Sequence, residues 1–231
     1  GLIEAVGPPG YSAAQAVCGL AQGAGHLTIL DAKRGDIGTT AEGYAQAALG
    51  PSPGFDADCV TVNPYMGADT LAPFLAAAAA RGKGVAVLVR TSNPGARDLQ
   101  DLPSSGEPVW AHTARMIAPL AEKLAGARGF SGLMAVAGAT YPAEAKALRA
   151  LLPTALFLVP GYGAQGAGAA EALAGFVRGP DGRLTGGVVN SSRGIAYPKG
   201  ADSVTKLSEW RELIAAAARA ARDDLAKAAA G

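Results

Sequence analysis

The sequence predicts an α/β protein built as a (β/α) barrel, with its chemistry at the carboxyl ends of parallel strands. Two observations carry this. Six short apolar runs are each followed by a polar or glycine-rich exit and then, in most cases, by a helical pattern. The runs at 132–137 and 156–160 are nearly all apolar, as in strands covered on both faces. A closed barrel of this kind needs eight strands. The count therefore expects an N-terminal truncation to six βα units, with two initial strands absent from these 231 residues. A six-stranded doubly wound sheet is the alternative.

The first residues read as a loop that follows an upstream strand, ending in the turn Pro8-Pro9-Gly10. Ser12 is expected to cap a helix through Ala13, Val17, Cys18 and Leu20, which Gly23 and Gly25 end. The first strand spans 26–31 and runs into the charged cluster Asp31-Ala32-Lys33-Arg34-Gly35-Asp36. A helix over 40–49, capped by Thr39 or Thr40, leads to the turn Pro51-Ser52-Pro53-Gly54. The second strand is 59–63, and its helix, 68–80, tolerates Pro73 only near the beginning. The third, 85–91, exits through the polar loop 92–98 to a helix over 108–124. The fourth strand, 132–137, precedes a helix over 142–152, and the fifth, 156–160, leaves through the glycine-rich stretch 161–168. The sixth, 187–191, exits as Ser192-Arg193-Gly194-Ile195, and an alanine-rich helix over 208–229 closes the chain.

Composition narrows the function. The net charge is +1 and only 17% of residues are charged, so no nucleic-acid surface is indicated. No apolar run approaches the roughly 18 residues of a membrane span. The two cysteines, Cys18 and Cys59, fit core positions, form no disulfide framework and suit a reducing, cytoplasmic setting. His26 and His112 read as structural histidines, Trp110 and Trp210 as packing residues, and no metal-ligand spacing is present. One domain over 1–231 is expected.

In a strand, Asp31 and Lys33 alternate onto one face, with Asp36 three positions later to complete a cluster. The cluster reads either as an ion-pair network at a strand end or as a catalytic array. In the second case Lys33, kept protonated by carboxylates, is a general acid, and a carboxylate beside it disfavours a negatively charged substrate group that must be lost. Decarboxylation meets that condition. Arg193 beside Gly194 suits a phosphate, or else is a solvated arginine. The glycines around Gln165 suggest a loop closing over a ligand, one strand earlier, where barrels commonly bind phosphate. Ser92 and Asn93 serve either a polar ring or the turn before Pro94.

Asp31-Ala32-Lys33-Arg34-Gly35-Asp36-Ile37-Gly38-Thr39-Thr40 resembles the Asp-x-Lys-x-x-Asp-Ile-x-x-Thr signature of the orotidine 5'-monophosphate decarboxylase family. The stretches at 89–96, 160–166 and 190–195 resemble the group of that family typical of mycobacteria and related bacteria. The resemblance implies a TIM (β/α)8 barrel and a homodimer with shared active sites. It also implies cofactor-free conversion of orotidine 5'-monophosphate to uridine 5'-monophosphate and carbon dioxide. On this likeness Asp31 stands near the departing carboxylate and Lys33 protonates C6, while Asp36, Ile37 and Thr40 reach the partner subunit's site. Ser92 recognises the pyrimidine, and Gln165 and Arg193 hold phosphate, with Pro160 and Gly194 as neighbouring binding positions. The family's aspartate after a first strand and lysine after a second have no counterpart before Leu2. A magnesium-dependent sugar-phosphate decarboxylase or synthase is the related alternative, and an inactive interaction fragment is one of a different class.

Overall fold

The computed structural model describes residues 2–230. Six parallel strands carry the fold: β1 Ile29–Arg34, β2 Cys59–Val62, β3 Gly84–Arg90, β4 Ser131–Ala137, β5 Ala155–Val159 and β6 Gly187–Val189. They lie in the sheet in chain order. A doubly wound sheet reverses direction from its middle, so the sequential order excludes that alternative and agrees with a parallel barrel-type sheet. The main helices are α1 Leu2–Val6, α2 Pro8–Gly23, α3 Gly38–Leu49, α4 Ala72–Arg81, α5 Val109–Ala121, α6 Pro142–Leu151 and α7 Leu207–Ala230.

The chain divides into two compact units. The first comprises the chain up to Val89 with His112–Ala135 and Thr154–Leu156, the second Arg90–Ala111, Val136–Pro153 and the chain from Phe157 on. In the first unit β2 pairs with β3 in unbroken register from Cys59 opposite Gly84 to Val62 opposite Val87. Every residue of β2 is buried, as the apolar run requires. Val60, Val62, Leu49, Phe74, Leu71, Val85, Ile117 and Leu133 form its core.

In the second unit β6 pairs with β5, Gly187 opposite Phe157 through Val189 opposite Val159. Arg149 of α6 is the main polar tie there. Its guanidinium donates to the carbonyls of Gly175, Leu152, Pro153 and Gly186 at 2.7–3.2 Å and lies 3.8 Å from the centre of the Phe157 ring. Burial pushes its pKa down to about 10, still far above neutrality.

Several expectations change. Residues 2–6 are helical rather than loop. Gly7, with φ +74, holds the N-cap position of α2, and Ser12 lies inside the helix, donating to the Pro8 carbonyl. Ile37 precedes α3 without a side-chain cap, so neither Thr39 nor Thr40 caps it. β1 begins three residues later than expected; just ahead of it the Thr28 amide and hydroxyl both donate to Asp58, while its carbonyl accepts the Cys59 amide. Cys18 is only half-buried and Trp210 is 39% exposed, so neither is a core residue of this chain.

Candidate functional site

The candidate residues form two groups, one in each unit. In the first unit, alternation along β1 puts Ile29, Asp31 and Lys33 on its exposed side. Lys33 Nζ donates to Asp31 Oδ1 at 2.5 Å, the same-face pair that the spacing predicts. The pair is not buried: the Lys33 and Asp31 side chains are 52% and 61% exposed. An exposed ion pair contributes about 0–1 kcal/mol to stability. Lys33 also has φ +50, a left-handed backbone that costs a long side chain about 1–3 kcal/mol. The conformation costs more than the ion pair alone returns.

Thr61 accounts for the geometry. It is 1% exposed at the centre of β2, where its Oγ1 accepts the Lys33 amide at 2.9 Å and donates to Asp31 Oδ1 at 3.0 Å. The β1–β2 ladder shifts register between Leu30 and Arg34, so a side-chain oxygen takes an amide that a regular ladder gives to a carbonyl. Pairing resumes where the Asn63 amide donates to Arg34 O. Gly35 follows because a Cβ there would lie 3.1 Å from Asn63 O. Sequence reasoning missed Thr61; its one signal was a hydroxyl inside the apolar run Cys59-Val60-Thr61-Val62.

Asp36 is not brought to this pair. Its Oδ1 accepts the adjacent Ile37 amide at 2.8 Å, and it makes no ion pair among the described residues. The carboxylate faces the start of α3, not β1. Ile37 is 61% exposed and Thr40 is exposed. The cysteines are poor nucleophiles: burial pushes the Cys59 thiol up to about 12 and raises that of Cys18.

In the second unit a cavity of about 450 Å³ is lined by Ser92, Pro94, Arg97, Thr140, Tyr141 and Gln165. Two glycines make room for Ser92. A Cβ on Gly138 would lie 2.9 Å from Ser92 Cα, and one on Gly161, with φ +105, would lie 3.1 Å from Ser92 Cβ. Thr140 Oγ1 donates to the Ser92 carbonyl. Asn93 takes the turn role instead, accepting the Thr91 hydroxyl at 2.7 Å. Behind the loop, Arg90 is 1% exposed, pairs with Asp101 and Glu144, and stacks 3.7 Å from the Tyr141 ring centre. Gln100 bonds both the amide and the hydroxyl of Thr91, so the segment entering Ser92 is held from both ends.

The exits of β5 and β6 meet around Ser191. A Cβ on Gly194 would lie 2.7 Å from Ser191 Oγ, and one on Gly163 would lie 3.9 Å from it. Pro160 is half-buried, and its carbonyl accepts the Ala139 amide. Gln165 and Arg193 are exposed, and Arg193 makes no ion pair among the described residues. Tyr162 in the glycine-rich exit donates to Asp224 of α7 at 2.7 Å. Burial, then that bond and the Asp224 charge, push its pKa up to about 12.

A larger cavity of about 710 Å³ lies in the first unit, lined mostly by apolar groups such as Ile3, Val6, Val17 and Phe55. Its charged members are Glu4, Asp31 and Arg34, and Glu4 and Arg34 are paired with each other. Polar groups are sparse there, and Asp31 is the member it shares with the candidate pair on β1. No helix among the described residues is long and apolar enough to cross a membrane.

A family model described as orotidine 5'-phosphate decarboxylase / HUMPS matches residues 2–207. A Deinococcus radiodurans protein named orotidine 5'-phosphate decarboxylase is 43% identical over 201 residues, covering 87% of this chain and 70% of that one. One of the same name from Rhodopirellula baltica is 39% identical over 223 residues, covering 93% and 72%. The solved OMP decarboxylase of Leishmania donovani superposes with a TM-score of 0.70 at 32% identity, covering 93% of this chain and 78% of that one.

Proposed function

The chain belongs to the orotidine 5'-phosphate decarboxylase / HUMPS family, and we propose that it is a lyase that converts orotidine 5'-monophosphate to uridine 5'-monophosphate and carbon dioxide. The observation that carries the chemistry is the Asp31–Lys33 pair, held at 2.5 Å on the exposed side of β1 and anchored from behind by the buried Thr61 hydroxyl. Asp31 faces the C6 carboxylate and disfavours its negative charge. The C6–carboxylate bond breaks and its electron pair stays at C6. The Lys33 ammonium stabilises that pair and delivers its proton to it, and solvent reprotonates the amine.

Ser92 recognises the pyrimidine, a role supported by its place on the wall of the 450 Å³ cavity. Gln165 and Arg193 hold the phosphate, with Pro160 and Gly194 beside them. The meeting of their two exits at Ser191 and the unpaired guanidinium of Arg193 support this. Phosphate contacts remote from C6 supply binding energy that is expressed at the reacting centre. The enzyme acts in the cytoplasm as a homodimer in which Asp36, Ile37 and Thr40 reach the partner's site; their exposure and the absence of an Asp36–Lys33 contact within the chain support that assignment. The likeness of the stretches at 89–96, 160–166 and 190–195 supports its membership of the group typical of mycobacteria and related bacteria.

The test is direct measurement of uridine 5'-monophosphate formation from orotidine 5'-monophosphate with a metal chelator present. Product at the same rate with and without chelator is expected. Folded protein that forms none, or activity that returns only with magnesium, would overturn the reading, the second outcome in favour of a sugar-phosphate enzyme.

A further inference from the structure

We propose that Arg97 is a specificity residue that binds the phosphate of the ligand in the Ser92–Gln165 cavity, an inference that rests on the nucleotide reading of that cavity. Of the six residues lining the cavity, Arg97 is the charged one. Its guanidinium carbon lies 5.6 Å from the centre of the Tyr141 ring. The ring is 7% exposed and also carries Arg90 at 3.7 Å.

The two arginines differ in what balances their charge. Arg90 is buried and faces Asp101 Oδ1 at 3.0 Å and Glu144 Oε1 at 3.6 Å, so both carboxylates are committed to it. Arg97 is exposed and engages no carboxylate among the described residues. Tyr141 therefore supports one guanidinium whose charge is neutralised inside the fold and a second whose charge is directed to the cavity. A planar guanidinium offers a fork of donors to a phosphate, and the Gln165 amide lining the same cavity adds a neutral donor. A neutral pyrimidine or ribose gives no charge to offset desolvation of that guanidinium, whereas a dianion does.

The substrate carries two anionic groups, a carboxylate and a phosphate. Uridine 5'-monophosphate keeps only the phosphate and uridine keeps neither, so the three probes uridine 5'-monophosphate, uridine and inorganic phosphate separate the possibilities. Calorimetric titration of the wild type, Arg97→Ala and Arg97→Lys with each is the experiment. Arg97→Ala is expected to weaken uridine 5'-monophosphate by about tenfold or more and leave uridine unchanged, with Arg97→Lys recovering part of the loss. Unchanged affinity for uridine 5'-monophosphate in folded Arg97→Ala, or equal weakening of uridine, would overturn the assignment. Wild type that binds inorganic phosphate, with loss in Arg97→Ala, but binds no nucleotide would support the anion site and overturn the nucleotide reading. Wild type that binds none of the three probes would overturn both.

Discussion

The hydroxyl of Thr61 donates to Asp31 Oδ1 at 3.0 Å while the same oxygen accepts the Lys33 amide. One buried side chain thus fixes the carboxylate through its side chain and the lysine through its backbone. The irregular pairing of β1 with β2 and the left-handed Lys33 belong to the same arrangement.

Replacing Thr61 by Val keeps the shape of the side chain and removes its oxygen. The Lys33 amide then loses its acceptor, and a stability loss of about 1–3 kcal/mol is expected. The decarboxylation rate should fall with it, because Asp31 and Lys33 lose their common anchor. Thermal melting and turnover of Thr61→Val and Thr61→Ser check this; Thr61→Ser should retain most of both.

Lys33→Ala separates chemistry from folding. The ion pair it removes is exposed, and alanine keeps a Cβ at φ +50, so the backbone cost is the same in both proteins. Unfolding midpoints in urea should therefore stay close to wild type. Turnover should drop by about 10²–10⁴, the range for a lost general acid. A large stability loss with turnover retained would assign the pair to structure.

Arg149→Met removes the donors that serve four carbonyls around β5 and β6. Loss of the partner at the buried Gly175 and Leu152 residues costs about 1–3 kcal/mol, so a lowered melting temperature is expected.

Asp56 links stability to pH. The side-chain hydrogen bond from Lys83, with Arg81 assisting, holds its carboxyl below the ordinary carboxylate value. Its folded pKa is lower than its unfolded one, near 4, so its contribution is present above that pH and is lost as pH falls through the folded pKa. Melting temperatures of wild type and Asp56→Asn between pH 7 and pH 3 should converge at the acid end. Asn tolerates the φ of +50 found at this position, so the variant tests the charge.

Asp224→Asn weakens the Tyr162–Asp224 bond that ties the glycine-rich exit of β5 to α7. An increase of several-fold in KM with kcat nearly unchanged is expected, the pattern of lost uniform binding. The Tyr162 phenol should also titrate at lower pH, since Asp224 is one of the groups that raise its pKa. Steady-state kinetics and the ultraviolet absorbance of phenolate report the two effects.

Local pattern in the sequence was enough to order the strands and helices, because apolar runs, alternation and prolines act within a few residues of chain. It also put Asp31 and Lys33 on one side of β1, since a period of two needs no partner strand. Tertiary structure decided the rest. The role of Thr61 depends on which residue of β2 lies opposite a break in the β1 ladder, and a hydroxyl in an apolar run does not reveal its register. Gly138 and Gly161 make room for Ser92 from distant parts of the chain. Arg90 and Arg97 are equal in charge; only the fold commits Asp101 and Glu144 to the first and leaves the second lining the cavity. Three residues of spacing put Asp36 near Lys33 in sequence, whereas in the fold its carboxylate accepts the Ile37 amide and makes no contact with that lysine among the described residues.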